Sequence, residues 1–575
     1  MTEISGIQAL LAAASRCRVG AVYGVPGFPI TDVVRAFLDS DEFAAVSGWF
    51  TNEKAAFEWG LGTSFTGKRS FVAVKHVGVN ILADPLMTAM IHTIGAGLVI
   101  LAGDDPDAAS SQNSQDTRFY GPLARALVYD PASPQDVFDY TVQAFAMSEK
   151  LKAPVIIRLT DAVLKARQSV CFGSDDTVPS VSFVPSVPSA SLAPEIQNAC
   201  CDSGVWDYRT KGRYLRSHFA GDELLFEAAA GLCSIENYPS LDSVADGGKA
   251  IGIIASGKCF DRVKDVLASL PKTHPTCARH SFSVMKLGIV SPLPLSQIRA
   301  FTEAHETIIV AEASESFIED QIRILGDVSG GVSDGVFGAV LGKRTGHLPF
   351  GDVGGGDILF ALEHLSESFV KRSQDLDIYK RPAADPYFCD GCAYSPFYDM
   401  LKRLKQETGV YTSGDVGCSM YGIVSPYFVL DSAVALGSSI GIGAGASMTS
   451  GQKSIAVVGD FGFFHSGLIG LAEAAHHDVP LLIYVMYNSA AAMTGGQETF
   501  DPEGVIRGVL FGGGAKEPCS AHSVHSAHSV HSVHFGEQEG DVSQKIEELY
   551  ALSLKELKRG GISVIVIRWV CKKIV

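Results

Sequence analysis

The stretch Gly459–Gly467 reads GDFGFFHSG and lies between an apolar run and an alanine-rich segment. The apolar run, Ser454–Val458, has the length and composition of a buried strand, and a second run, Leu481–Met486, ends just before Asn488. Two such strands with a helix between them predict a βαβ unit of a parallel sheet. Because ligands of open α/β sheets bind at the carboxyl ends of strands, we expect Asp460 and Asn488 to meet at one edge.

The Asp460 carboxylate and the Asn488 side-chain amide supply hard oxygen ligands, which Mg²⁺ accepts while water and a diphosphate hold its other positions. A Gly-Asp pair alone is a common loop sequence. Gly459-Asp460 followed at this spacing by Asn488 resembles the thiamine diphosphate motif. We therefore expect thiamine diphosphate and Mg²⁺ as cofactors, and an ordinary α/β loop is the alternative.

Length and composition restrict the class of protein. A chain of 575 residues, 46% of them hydrophobic, is too long for one core and predicts about three or four globular domains. The formal net charge of −17 argues against a nucleic-acid or anionic-membrane partner. The sequence has no signal peptide and no apolar run of transmembrane length, so we expect a cytoplasmic protein. Its twelve cysteines are then expected to be free thiols, apart from any that bind metal.

Several segments resemble one family across nearly the whole chain. The segments GDFGFFHSGLIGLAEA (459–474), AAMTGGQ (491–497) and VKHVGVNILADPLM (74–87) are similar to the α subunit of indolepyruvate:ferredoxin oxidoreductase. In that family a ferredoxin-like tail with two cysteine-rich runs follows the thiamine domain. No counterpart of it follows Cys571 here, and we expect the electron path to be shortened accordingly.

The expected fold is multidomain α/β, with two thiamine-diphosphate-binding doubly wound parallel-sheet domains and, by resemblance, a transketolase-C-terminal-like α/β domain. Short apolar runs such as Phe71–Val74, Gly97–Leu101 and Val155–Leu159 predict buried strands. The predicted divisions are a pyrimidine-binding domain at 1–170, a linker at 171–245, the transketolase-like domain at 246–370 and a diphosphate-binding domain at 380–575.

Two residues of the first domain are candidate catalytic groups. Glu53 follows Asn52 at a predicted helix start, where an acidic side chain is also favourable simply beside the helix dipole. In thiamine enzymes a Glu at such a position hydrogen-bonds the aminopyrimidine ring, which requires a buried carboxyl that shares a proton. The resemblance also covers His76, which follows an apolar strand and becomes a second catalytic candidate.

In the last domain, the small-residue segment at 437–439 can approach a diphosphate through backbone N–H groups at the start of a helix. The resemblance adds His465 as a catalytic candidate and Ala490 as a metal-site residue. The residues expected at the cofactor, Glu53 included, are Gly27, Gly437, Ser438, Ser439, Gly459, Asp460, Asn488, Met493 and Thr494.

A Cys-x-x-Cys pair, Cys389 and Cys392, stands apart from the other cysteines by its spacing. With Cys418 and a fourth thiolate these residues could hold a [4Fe-4S] cluster. Cys519 and Cys571 are the remaining candidates, and Cys571 is preferred because the family also has a cysteine there. A redox-inert or zinc-binding pair is the alternative.

A histidine-rich tract at 520–535 has no counterpart in the family. Its histidines are three residues apart, at His522, His525, His528, His531 and His534. This period matches neither a helix face nor a strand, so we predict a mobile loop with incidental metal affinity.

Together these features predict oxidative decarboxylation of a 2-oxoacid, aryl or otherwise bulky as in indolepyruvate. The resemblance implies coenzyme A, a ferredoxin-type acceptor, a separate β subunit and homodimerisation of this chain. A non-oxidative 2-oxoacid decarboxylase needs the same Glu53 and Asp460 but no cluster. A silent scaffold subunit is a third possibility, against which the presence of both residues argues.

Overall fold

Parallel strands alternating with helices form both halves of the molecule, which agrees with the predicted α/β class. The computed structural model describes residues 3–91, 94–172, 222–239, 251–274, 277, 280–328, 339–366, 369, 388–512, 528–535 and 539–571. The chain divides into two compact units, Met1–Lys380 and Arg381–Val575. Most of the predicted linker, together with Cys519, His522 and His525, lies outside the described residues.

The strands of the first unit belong to two large sheets and one small ribbon. In chain order they are β1 (Glu3–Ser5), β2 (Ala21–Gly24), β3 (Ser47–Trp49), β4 (Ser70–Lys75), β5 (Leu98–Asp104), β6 (Val128–Tyr129), β7 (Val155–Thr160), β8 (Arg167–Ser169), β9 (Cys233–Tyr238), β10 (Ile251–Ser256), β11 (Phe282–Leu287), β12 (Ile289–Ser291), β13 (Thr307–Ala311) and β14 (Ala339–Leu341).

The helices of this unit cover the sheets. They are α1 (Gly6–Arg16), α2 (Ile30–Leu38), α3 (Glu53–Phe65), α4 (His76–Ile91), α5 (Tyr120–Ala124), α6 (Pro134–Leu151), α7 (Asp161–Lys165), α8 (222–231), α9 (Gly257–Thr273), α10 (Leu295–Glu303), α11 (Phe317–Val328) and α12 (Gly355–Glu363). Across the described ranges of the chain, no helix combines the length and the apolar character needed to cross a membrane.

The first large sheet has the strand order β12-β6-β7-β5-β4-β2-β3. Its pairs are parallel except for β12 against β6. The three runs predicted as strands are β4, β5 and β7 at its centre, and their apolar residues are buried because helices cover both faces.

The second large sheet has the order β14-β13-β10-β11-β9, parallel except for β9. Two buried arginines connect it to the first sheet. Arg118 donates to Glu312 at 2.7 Å, while Arg158 donates to Asp104 at 2.6 Å and to Ser314 at 2.8 Å. Strand β12, which follows β11 in the chain, pairs with β6 of the first sheet. The two sheets therefore share both backbone and charged contacts.

The second unit is built on one six-stranded parallel sheet and a small hairpin. Its strands are β15 (Thr412–Gly414), β16 (Ser432–Ala433), β17 (Ser454–Gly459), β18 (Leu481–Tyr487), β19 (Ala490–Ala491), β20 (Gln497–Glu498), β21 (Ser529–His534) and β22 (Ile562–Arg568). Its helices are α13 (Tyr394–Thr408), α14 (Ser439–Ser450), α15 (Asp460–Gly462), α16 (Leu468–His476), α17 (Glu503–Phe511) and α18 (Glu539–Lys558), with a π-helical turn at Phe463–Gly467.

The six-stranded sheet has the order β16-β15-β17-β18-β22-β21. Alternate residues of its central strands enter two separate cores. Val457 and Tyr484 pack in one core, whereas Val458 and Val485 pack in the other. The strand runs predicted on either side of Asp460 are thus β17 and β18, which pair in parallel and end at the same edge.

The prediction of a loop over the histidine tract is wrong for residues 529–534. They form β21, which pairs in parallel with β22 at the edge of the sheet. Val530 and Val533 contact opposite cores. His528 is buried, and its Nδ1 accepts the backbone N–H of Ile562 at 3.0 Å. Pairing with a neighbouring strand stabilises this segment, and a three-residue spacing of histidines gives no sign of it.

Candidate active site

Asp460 and Asn488 are in contact at the carboxyl ends of β17 and β18. Asp460 is 3% exposed, and its Oδ2 accepts the backbone N–H of Asn488 at 3.1 Å and the hydroxyl of Thr499 at 2.8 Å. Its Oδ1 accepts the N–H of Phe461 at 2.8 Å. Burial raises the pKa of Asp460 to about 6 despite these donors. A buried carboxylate at a strand end is a suitable ligand for a cation.

The side chain of Asn488 is oriented by its own backbone. Its Oδ1 accepts the N–H of Ala490 at 3.1 Å, which forms an Asx turn leading into the β19–β20 hairpin. Thr494 donates to Gln497 at 2.7 Å within the same hairpin, and Met493 is 44% exposed. The predicted residues Asn488, Ala490, Met493 and Thr494 thus all lie in the segment that follows β18.

The turn before α14 is held tightly between two segments. Gly437 has a φ of 79°, and a Cβ there would lie 2.2 Å from the hydroxyl of Ser466. Ser466 donates to the carbonyl of Leu436 at 2.6 Å, and the N–H of Ser438 is donated to Ala435. The N–H of Gly437 is also used within the chain. The backbone N–H groups of the first turn of α14, which begins at Ser439, are therefore the ones available to bind an anion.

Ser439 fits a phosphate-binding role. It is fully buried at the start of a twelve-residue helix, and its Oγ makes no hydrogen bond to any residue that the structure describes. A buried hydroxyl without a partner is costly, and a ligand oxygen would satisfy it. His465, which is 6% exposed, lies in the π-helical turn beside Ser466.

Asp415, next to this turn, is the residue of the site that sequence reasoning missed. It follows β15, is fully buried, and its Oδ1 accepts the N–H groups of Val416 and Gly437, each at 2.7 Å. Its Oδ2 has no hydrogen-bond partner, and burial raises its pKa to about 7. The available signal was an acidic residue directly after a short strand, the position that also marks Asp460.

Two of the predicted cluster cysteines follow strands of the sheet, and the other two precede α13. Cys392 donates its N–H to the carbonyl of Cys389 at 2.9 Å, so the pair forms a tight turn. Cys418 begins a 3₁₀ helix after β15, and Cys571 follows β22. Within the described parts of the chain, however, no three His, Cys, Asp or Glu side chains stand close enough together to hold a metal ion. The four thiols thus do not form a metal site in this structure.

Cys392 and Cys418 pack against the core that contains Tyr394 and Tyr398. Burial is the main cause that raises the pKa of Tyr394 and of Tyr398, and Cys392 and Cys418 both contribute to each. Cys392 and Cys418 therefore lie near the same core. Tyr394 also packs edge-on against Trp569, with ring centroids 5.4 Å apart.

In the first unit Glu53 is the first residue of α3. It is 6% exposed, and a Cβ on Gly78 of α4 would lie 2.5 Å from its Oε1. Asn52 caps the helix by accepting the N–H groups of Lys54 and Ala55. Glu53 is thus a buried carboxyl packed against the first turn of the neighbouring helix.

His76 begins α4 and is 1% exposed, with no hydrogen bond at either ring nitrogen. Burial, and then the charge of Lys75, lowers its pKa to about 4, so the imidazole is neutral at physiological pH. Gly27 lies against Lys75, because a Cβ there would be 2.9 Å from the lysine Cβ.

The comparison with protein families agrees with this geometry. Residues 415–567 match the family model of the thiamine pyrophosphate enzyme C-terminal TPP binding domain. Residues 240–346 match the indolepyruvate ferredoxin oxidoreductase middle domain. The fold and the Asp460 edge therefore define a thiamine diphosphate-binding enzyme.

Individual relatives narrow the class further. Indolepyruvate oxidoreductase subunit IorA of Methanothermobacter thermautotrophicus is 31% identical over 503 residues, which cover 86% of this chain and 76% of the relative. The IorA subunits of Methanothermobacter marburgensis and Archaeoglobus fulgidus are each 29% identical, over 509 and 508 residues, covering 86% of this chain and 76% and 75% of the relatives. The chain belongs to the indolepyruvate oxidoreductase subunit IorA family, and its enzyme class is the 2-oxoacid oxidoreductases.

Proposed function

We propose that the chain is the cofactor-binding α subunit of an enzyme that converts a 2-oxoacid and coenzyme A to acyl-CoA and CO₂. The substrate is an aryl acid such as indolepyruvate, the compound named in the relatives. The electrons pass to a ferredoxin-type carrier, and a separate β subunit and a second copy of this chain complete the enzyme. The contact between Asp460 and Asn488, in the region that matches a thiamine-binding domain, carries this proposal.

Asp460, Asn488 and the backbone at Ala490 are the residues that would hold Mg²⁺ against a diphosphate. Oδ1 of Asp460 keeps acceptor capacity beyond the N–H of Phe461, whereas Oδ2 already accepts the N–H of Asn488 and the hydroxyl of Thr499. Ser439, at the start of α14, adds an unpartnered hydroxyl. This donor set of hard oxygens and a helix N-terminus suits a magnesium diphosphate.

Bound thiamine diphosphate supplies the nucleophilic carbon and the electron sink that decarboxylation requires. Glu53 would hold a proton at the aminopyrimidine ring, and its burial excludes water from that hydrogen bond. His76 is neutral and has no hydrogen-bond partner among the described residues, so one ring nitrogen would accept a hydrogen bond from the substrate or cofactor while the other donates one.

The proposal extends to a [4Fe-4S] cluster on Cys389, Cys392, Cys418 and Cys571. In its support, the Cys-x-x-Cys turn is formed, and Cys392 and Cys418 pack against the same core. The described thiols do not gather as three ligands, so their fit to a cluster is incomplete.

The same observation favours a second candidate, a non-oxidative 2-oxoacid decarboxylase. That reaction uses Glu53 and the Asp460 edge and needs no cluster. It would release an aldehyde, whereas the proposed reaction releases acyl-CoA and reduces an acceptor.

The test uses the chain co-purified anaerobically with its partner subunit. Thiamine diphosphate is titrated by calorimetry with Mg²⁺ and with EDTA, iron and sulfide are assayed, and products from indolepyruvate and coenzyme A are identified. Mg²⁺-dependent binding, about four irons per chain and acyl-CoA support the proposal, and Cys418→Ser should remove the iron while sparing binding. Iron-free protein that yields aldehyde establishes the second candidate. Absence of Mg²⁺-dependent binding overturns both.

A further inference from the structure

We propose that Asp415 is a positioning residue for the diphosphate-binding turn, that it works in its neutral form, and that its ionisation weakens cofactor binding. This inference rests on the proposed diphosphate site at Ser439 and goes beyond it, because it assigns a residue outside the predicted ligand set and a proton linkage. Asp415 is placed where two segments of that site meet.

The first argument is the contact with the turn. Oδ1 of Asp415 accepts the N–H of Gly437 at 2.7 Å, in the turn that precedes α14. This bond fixes the peptide between Leu436 and Gly437, whose carbonyl accepts the hydroxyl of Ser466 from the other side. The turn is therefore held at both its N–H and its C=O, which sets the direction in which α14 presents Ser439.

The second argument is the contact with the Asp460 segment. A Cβ on Gly462 would lie 2.5 Å from Oδ2 of Asp415, so the carboxyl is packed directly against the α15 backbone. One side chain thus bridges the turn before α14 and the helix that begins with Asp460. A change at Asp415 would alter the spacing between the anion-binding helix and the cation-binding carboxylate.

The third argument concerns charge. Oδ2 is buried and has no hydrogen-bond donor, whereas Oδ1 receives two N–H groups. A proton on Oδ2 removes the cost of an uncompensated buried charge. Burial accordingly raises the pKa of Asp415 to about 7, which His465 opposes. Tyr398, from α13, also interacts with Asp415 and is uncharged because its own pKa is raised by burial.

The sign of the pH effect follows from this placement. Below about pH 7 the carboxyl is neutral and leaves the positive end of α14 available to a diphosphate. Above that pH Asp415 is a carboxylate that accepts a hydrogen bond from the turn itself, and its negative charge repels the diphosphate. We therefore expect the affinity for thiamine diphosphate to fall as the pH rises through this range.

The experiment compares thiamine diphosphate affinity at about pH 6.5 and about pH 8.5, at fixed Mg²⁺, in wild type, Asp415→Asn, Asp415→Ala and Asp431→Asn. Asn keeps the acceptor for Gly437 and cannot ionise, while Ala removes the acceptor. Asp431 is the matched control, since it also lies beside β15 and accepts a backbone N–H, from Thr412 at 2.8 Å, but is exposed and paired with Lys405.

Between the lower and the higher pH, we expect the Kd of the wild type for thiamine diphosphate to rise by a factor at least about fivefold larger than the factor for Asp415→Asn. Comparing the two proteins cancels the effect of the ionisation of thiamine diphosphate itself. Asp415→Ala should bind at least about tenfold more weakly at both pH values, with thermal unfolding showing that it is folded. Asp431→Asn should follow the wild type. Equal pH dependence in wild type and Asp415→Asn, or undiminished binding by Asp415→Ala, overturns the inference alone. A wild type that binds at neither pH overturns the proposed function as well.

Discussion

Asp460 accepts the backbone N–H of Asn488 at 3.1 Å, which ties the ends of two adjacent parallel strands together through one carboxylate. The bond forms within the protein itself. It therefore fixes the direction of the Asn488 turn before any cofactor arrives, which lowers the ordering cost of binding. The same bond makes Asp460 both a structural acceptor and the proposed cation ligand.

Asp460→Asn should lose Mg²⁺-dependent cofactor binding, and it should lack the pH-dependent loss of stability that the Asp460 carboxyl causes in the cofactor-free wild type. Burial raises the pKa of Asp460 from 3.8 to about 6. Because the folded pKa lies above the unfolded one, stability falls as the pH rises from about 4 to about 6, by at most about 3 kcal/mol. Thermal melts should show the melting temperature of the cofactor-free wild type falling relative to that of Asp460→Asn between about pH 4 and about pH 8. A difference in melting temperature that is the same at both pH values would contradict the prediction.

Glu53→Gln should bind thiamine diphosphate normally and lower turnover about 100-fold or more, because the amide keeps the shape of the side chain without the shareable proton. Calorimetry and steady-state kinetics measure the two effects separately. Glu58→Gln is the control within α3, since Glu58 is 51% exposed and pairs with Lys54 on the surface. Near-normal turnover by Glu53→Gln would remove Glu53 from the mechanism.

Arg158→Gln should destabilise the first unit by about 3–5 kcal/mol, because it leaves the buried carboxylates of Asp104 and Asp130 without their shared partner. Denaturant unfolding gives the value. Arg35→Gln is the surface control, since its pair with Asp32 is 3.7 Å long and half exposed, and should cost less than about 1 kcal/mol. Similar losses in the two variants would contradict a special role for the buried pair.

His528→Ala should loosen β21, because the buried N–H of Ile562 would lose its acceptor at a cost of about 1–3 kcal/mol. Hydrogen exchange over residues 529–534 should rise in this variant. The exposed His534 belongs to the same tract and strand, and His534→Ala should leave exchange unchanged. Equal exchange in both variants would show that the strand does not depend on this bond.

The central strands could be predicted from the sequence because parallel strands buried on both faces are apolar throughout, as in Leu98–Leu101 and Leu481–Met486. The Asp460 edge followed from the same rule, since it depends only on where two such strands end. Family resemblance supplied the class of enzyme, which periodicity alone does not give.

Other features could not be predicted because they depend on contacts between distant segments. The burial of Asp415 and its bond to Gly437 join residues on opposite sides of a crossover. The edge strand at 529–534 is stabilised by β22, which lies later in the chain. The cysteines are a further example, since spacing in sequence does not fix distance in space and the four thiols do not gather as a metal site in the described residues.

Arg118 links the two large sheets of the first unit, because it lies between β5 and β6 of one sheet and its partner Glu312 follows β13 of the other, with both side chains fully buried. A fragment that ended near residue 170 would retain the Arg118–Asp116 pair and lose Glu312 and the carbonyl of Ala313, leaving N–H groups of the buried guanidinium without acceptors. The two sheets should therefore fold and unfold in a single cooperative step. During evolution they are expected to be inherited together, and exchange of either one with another protein would require a new partner for Arg118.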